Sequence, residues 1–188
     1  YGQWLHEILS RLRVKQGTLV AWSFGAFIAL KSLPFAGDRV GQVILINPAG
    51  IVRGAAWRTW WQVRRPLRQF QRRRKQGALN RLQNALQTER QPANASCWPL
   101  FLLRYGLDLS PVPLLTAEQA NRIRTPIRII AASRDVLYPG RAVLRRARQL
   151  WPGWDDGLLL HGERHLLSRT GQAQVAAYVR EVVEGRMG

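Results

Sequence analysis

Three polar residues occupy positions where chemistry could be done. Ser23 closes the apolar run Leu19-Val20-Ala21-Trp22. Asp135 follows the run Ile127–Ala132, and His165 follows the run Gly157–Leu160. Nucleophilic acyl transfer needs a hydroxyl, an imidazole to take its proton, and a carboxylate to fix the imidazole tautomer. Ser, Asp, His is one of the chain orders in which such a set occurs. Each residue alone has a plainer reading. Ser23 could be an ordinary helix N-cap, Asp135 a capping or surface carboxylate, and His165 a solvated loop histidine. His161 competes for the role of base but lies close to its strand, and Asp108 is an alternative acid. His6, on an exposed helix, is assigned no role. Arg164 is expected to pair with a neighbouring carboxylate, and Asp155 and Asp156 read as turn residues.

The elements that must position these groups can be read from periodicity. Leu5, Ile8, Leu9 and Leu12 share a helical face over 3–13. Thr18 to Trp22 is a short strand, and a helix over 24–33 follows, stopped by Pro34 and Gly37. Gly41 to Ile46 is a continuous apolar run of the kind found in strands covered on both faces. Residues 53–122 hold no good strand and read as helical, with interruptions at Pro66, Gly77, Pro92, Pro99 and Pro111. Strands then return at 127–132 and 157–160, each followed by a helix, the last over about 171–184. The pattern predicts an α/β fold with a mostly parallel sheet of about four strands and one helical insertion after the second. In such sheets functional residues gather beyond the C-terminal strand ends. Those ends supply Ser23, Asn47, Ser133 to Asp135, and His161 to His165.

Composition sets limits. A chain of 188 residues with 46 % hydrophobic content can bury a real core and is not of the disordered class. A single cysteine, Cys97, excludes an intrachain disulfide framework and fits a reducing, cytoplasmic setting. No apolar run is long enough to predict a transmembrane helix.

The stretch Val20-Ala21-Trp22-Ser23-Phe24-Gly25-Ala26 resembles the nucleophile elbow of the α/β-hydrolase superfamily. Ala132-Ser133-Arg134-Asp135-Val136-Leu137-Tyr138-Pro139 resembles its acid loop, and Gly162-Glu163-Arg164-His165-Leu166-Leu167 its histidine loop. Ala21 departs from the elbow pattern, which has glycine there. Small residues at 21 and 25 are expected to let the turn close. The resemblance implies a hydrolase core over 1–52 and 123–188, with residues 53–122 as a helical cap. It also implies that the N-terminal half of the fold, with the loop that gives the second oxyanion donor, is not in this chain. Of the oxyanion donors only the backbone N–H of Phe24 is then assigned. One such donor is worth about 3 kcal/mol of transition-state stabilisation.

The expected activity is a serine hydrolase of the carboxylesterase type, cleaving an ester or thioester through an acyl-enzyme, with no metal or organic cofactor required. Ser23 would attack, His165 would act as general base, and Asp135 would orient the ring. Serine at position 23 argues against the related epoxide and haloalkane hydrolases, which place Asp there. The rival expectation is a non-catalytic binding or scaffold protein that keeps the fold.

Formal net charge is +18, and the charge is unevenly placed. Residues 51–90 hold eleven basic side chains against the single acid Glu89, with Trp57, Trp60, Trp61 and Phe70 interleaved. A solvated helical face whose arginine stems cover apolar surface is the plain reading. An acidic protein partner or substrate and an anionic lipid surface are the alternatives. Nucleic acid is disfavoured because no recognition motif is present. Apolar residues of the insertion are expected to line an acyl-binding cavity: Trp57, Trp60, Trp61, Trp98, Phe101 and Leu102, with Trp22 beside the serine. Each could equally be plain core.

Overall fold

A computed structural model describes residues 2–90 and 97–185. Its centre is a four-stranded parallel sheet in the order β1 (Gly17–Trp22), β2 (Val40–Ile46), β3 (Ile127–Ala132) and β4 (Gly157–Leu160). Register is fixed by pairs such as Ala21 with Leu45, Leu45 with Ile129, and Ala131 with Leu159. Parallel neighbours need crossover connections, and helices supply them. Those described are α1 (Gly2–Arg11), α2 (Phe24–Ala36), α3 (Ala56–Thr59), α4 (Arg65–Arg73), α5 (Gln76–Leu86), α6 (Cys97–Arg104), α7 (Ala117–Asn121), α8 (Gly140–Leu150) and α9 (Arg169–Val183). Helices α3 to α7 all lie between β2 and β3, where the insertion is expected.

Alternation along the strands sends side chains to opposite faces. Val43, Leu45, Ile129 and Ala131 pack with Ala26, Ala29 and Leu30 of α2 and Val143 and Ala147 of α8. Ile44, Ile46, Ile130 and Ala132 face the other way, onto Tyr178 and Val182 of α9. Strand β1 forms one edge of the sheet. Its Leu19 and Ala21 join the α2 side, while Val20 and Trp22 are exposed.

Two prolines behave differently from expectation. Pro34 does not stop α2, which continues to Ala36. It lacks the N–H that would bond the carbonyl four residues back, the helix runs only two residues beyond it, and a short 3₁₀ turn at Gly37–Arg39 follows. Pro66 does not break its helix either. The five residues Trp60–Arg64 form a π-helical turn between α3 and α4, so the chain stays helical from Ala56 to Arg73. A widened turn just ahead of the proline accommodates its ring and its missing N–H. Arg74, at φ 52°, closes the segment. Pro92 lies outside the described residues.

A further cluster fills the segment between β2 and β3. Val63, Leu67 and Phe70 pack on Leu79, Leu82 and Leu86 of α5 and on Leu102 of α6. Val136, Leu137 and Leu166 belong to the same cluster, although they come from the loops after β3 and β4. The inserted helices therefore share their core with the loops that carry Asp135 and His165.

Candidate active site

Ser23 stands between β1 and α2 with its backbone at φ 54°. The left-handed region costs a non-glycine residue roughly 1–2 kcal/mol, and strain of this kind persists only where surrounding structure holds it. Here the Ser23 N–H donates to the Ile46 carbonyl at 2.9 Å, and the Ser23 carbonyl accepts from the N–H groups of Ala26 and Ala49, both at 3.1 Å. The sharp turn lifts the hydroxyl beyond the end of the sheet.

There it meets His165. Ser23 Oγ is 2.9 Å from His165 Nε2, and His165 Nδ1 is 2.7 Å from Asp135 Oδ2. The second carboxylate oxygen of Asp135 accepts from the N–H groups of Leu137 at 2.7 Å and Tyr138 at 3.1 Å. With the carboxylate an acceptor on both oxygens, Nδ1–H is the donor to it. Nε2 is left to accept the serine proton. Asp135 and His165 are both buried. The three side chains come together beyond the ends of β1, β3 and β4. Ser23 directs its hydroxyl to a ring nitrogen rather than serving only as a cap. His161 is exposed, four residues away on the same loop. Asp108 lies in the cavity wall but bonds Ser110, whose side chain and N–H hold its carboxyl below the ordinary value. Arg164 forms no ion pair with a carboxylate among the described residues. Its backbone N–H donates instead to Thr88 Oγ1 at 2.7 Å.

Several features that frame the site carry no obvious sequence signal. Asn47, at φ 44°, is buried. Its Nδ2 donates to the His165 carbonyl at 2.9 Å and its Oδ1 accepts from the Ala132 N–H at 2.7 Å. The loop beginning at Asn47 thus touches all three candidate residues or their neighbours. Glu163 is buried and accepts from the N–H and hydroxyl of Ser168, the N-cap of α9. It anchors the far end of the histidine loop. The end of α5 holds the same loop from the other side. Leu166 N–H donates to the Leu86 carbonyl at 2.8 Å, and Thr88 N–H to the Leu166 carbonyl at 3.0 Å. Tyr138 packs its ring edge near the His165 ring, with centroids 5.6 Å apart. Burial, and then the nearby Asp135 charge, push the Tyr138 phenol up.

Phe24 opens helix α2 directly after the serine, so its N–H lies at a positive helix end. A Cβ added at Gly25 would meet nothing within 4 Å among the described residues.

A cavity of about 1250 Å³ opens over Ser23 and His165. Trp22, Trp57, Trp60 and Trp61 line it. So do Trp98, Phe101 and Leu102. Leu102 is also fully buried in the helical cluster, so it serves as both core and wall. The lining is mostly apolar, as small-molecule sites generally are.

Solved structures with a similar fold include proteins named as esterases and hydrolases. A naproxen esterase (carboxylesterase NP) from Bacillus subtilis superposes with a TM-score of 0.77 at 17 % identity, over 97 % of this chain and 65 % of that one. The chain has an α/β-hydrolase fold. It corresponds to the C-terminal portion of that fold, and it spans about 65 % of the length of the Bacillus enzyme. A serine hydrolase from Cycloclasticus zankles matches with a TM-score of 0.70 at 15 % identity, over 100 % of this chain and 70 % of that one. The esterase RhEst1 from Rhodococcus sp. ECU1013 matches with a TM-score of 0.62 at 15 % identity, over 94 % and 68 %. No family model and no curated protein matches the sequence. Within the α/β-hydrolase fold, Ser23, Asp135 and His165 sit at the C-terminal ends of β1, β3 and β4.

Proposed function

We propose that this α/β-hydrolase-fold chain is a serine hydrolase that cleaves carboxylic esters or thioesters through an acyl-enzyme. The observation that carries the reading is the unbroken relay from Ser23 Oγ to His165 Nε2 at 2.9 Å and from His165 Nδ1 to Asp135 Oδ2 at 2.7 Å. Ser23 attacks the acyl carbonyl while its proton passes to His165 Nε2. The Asp135 carboxylate holds the resulting imidazolium in place. The Phe24 N–H contributes one donor to the oxyanion. The imidazolium then protonates the leaving alcohol or thiol. Water attacks the acyl-serine with His165 again as base, and Ser23 recovers its proton. The helices between β2 and β3 act as a cap, and the tryptophan-lined cavity receives the acyl group. Cytoplasmic action is part of this reading.

One observation favours the non-catalytic scaffold as a second reading. The chain spans only part of the length of the esterases it resembles, and a single oxyanion donor is assigned within it. Steady-state hydrolysis of p-nitrophenyl esters separates the two. The esterase reading expects turnover that falls roughly 10⁴-fold or more in Ser23→Ala and in His165→Gln, with the double variant no worse than either. Absence of turnover from the folded protein, or equal turnover in all variants, favours the scaffold.

A further inference from the structure

The proposed cap presents an unusual solvent-exposed face around the cavity. Along Ala56–Arg73, the buried side is Val63, Leu67 and Phe70. The same stretch carries Trp57, Trp60 and Trp61, which line the cavity and stay open to solvent, with Trp57 63 % and Trp61 55 % exposed. Each ring has an arginine over it. The Arg58 guanidinium lies 5.2 Å from the Trp57 ring, Arg65 4.7 Å from Trp61, and Arg68 4.9 Å from Trp60. Helix α6 supplies further apolar groups. Phe101 shares the cavity lining with the tryptophans, and beside it Leu100 is 69 % and Tyr105 78 % exposed. Exposed apolar side chains thus stand on both helices that contribute to the cavity wall, and cations are stacked among them. Glu89 is the only acid between residues 51 and 90.

We infer that this face docks on an anionic lipid bilayer, with the tryptophans at the acyl boundary and the stacked arginines among the headgroups. Charge complementarity requires an anionic partner, and the arginines answer it. The exposed rings decide which kind. A bilayer offers anionic headgroups and hydrocarbon a few ångströms apart, which matches side chains that are apolar in body and cationic at the tip. Stacking over a ring also keeps each guanidinium ordered beside the apolar group it accompanies. Docking in this orientation would turn the cavity opening toward the lipid.

The surface shares its tryptophans with the proposed acyl cavity, and the experiment keeps the two readings apart by measuring binding without turnover. Sedimentation with phosphatidylglycerol–phosphatidylcholine vesicles is compared with sedimentation with pure phosphatidylcholine, using wild type, Ser23→Ala, Arg65→Glu/Arg68→Glu, and the control Arg141→Glu/Arg145→Glu on α8. Circular dichroism and melting confirm that each variant is folded. Wild type and Ser23→Ala should bind the anionic vesicles equally and pure phosphatidylcholine weakly. Each arginine near an anionic surface contributes a factor of roughly five, so the cap double variant should lose about 25-fold or more. The control double variant, with the same total charge change, should lose much less. Brominated acyl chains should quench tryptophan emission of wild type, and less so that of Trp57→Ala/Trp61→Ala. Equal binding to both lipid compositions would overturn the inference. So would equal losses in the two double variants, or capture of an acidic carrier protein without vesicle binding.

Discussion

Asn47 Nδ2 donates to the His165 carbonyl at 2.9 Å, across 118 residues of chain. The same side chain accepts from the Ala132 N–H, three residues before Asp135. Its neighbour Ala49 bonds the Ser23 carbonyl. One buried amide and its loop therefore connect the serine turn, the acid-bearing strand end and the histidine loop.

Removing that amide should be costly. Asn47→Leu leaves the Ala132 N–H and the His165 carbonyl buried without this partner, at about 1–3 kcal/mol for each. It also places a branched side chain at φ 44°. Asn47→Asp retains the acceptor but turns the donor into a buried carboxylate oxygen facing the His165 carbonyl, so it should be destabilised as well. Urea titration should place both variants below wild type. Ester turnover should fall in both as the histidine loop loosens.

Gly54 is where the chain leaving β2 crosses the acid loop. Its N–H donates to the Leu137 carbonyl at 2.7 Å, and a Cβ there would lie 2.0 Å from the Val136 carbonyl oxygen. Gly54→Ala must displace backbone on one side or the other. The expected loss is roughly 1–3 kcal/mol, by analogy with overpacking in cores. Thermal melting reads it. Turnover should fall as well, because Val136 directly follows Asp135.

The strained backbone of Ser23 gives a prediction about stability alone. Glycine populates the left-handed region without penalty. Ser23→Gly and Ser23→Ala both remove the hydroxyl, yet only the first relieves φ 54°. The glycine variant should be the more stable of the two by about 1 kcal/mol. Equal melting temperatures would show that the turn stores no such strain.

Tyr178 links stability to alkaline pH. It donates its phenol hydrogen to Asp156 at 2.8 Å, and Asp156 also pairs with Arg128 at 2.7 Å. Burial, with the bond to Asp156, pushes the phenol from 10.0 up to about 12. The folded state therefore holds this proton more tightly than the unfolded state does. The resulting stabilisation is fully present below pH about 10 and is lost as pH rises through about 12. Tyr178→Phe should flatten that part of the stability profile measured by urea unfolding.

Much of the fold was legible because each strand is a short apolar run ending in a polar residue. That pattern located Ser23, Asp135 and His165, and the parallel sheet followed from the alternation with helices. The long strand-free stretch likewise marked the helical insertion. Other features depend on contacts that no local pattern reports. Asn47 was visible as a strand-end residue, but its bonds to Ala132 and His165 exist only once three loops meet. Asp156 reads as a turn residue, yet it pairs with Arg128 of β3 and Tyr178 of α9. Glu163 had no assigned role because its partner, Ser168, becomes an N-cap only when α9 begins there. In sequence, Pro34 and Pro66 read as breaks. Helix ends and a π-helical turn absorb them, which depends on the geometry of neighbouring turns rather than on the residue alone.

Fluorophosphonate labelling followed by peptide mass spectrometry reads whether Ser23 is a nucleophile activated by His165. A covalent adduct on Ser23 is expected, formed rapidly in wild type, greatly slowed in His165→Gln, and absent in Ser23→Ala. A folded wild-type protein that takes up no label, or that carries the label on another residue, would contradict it.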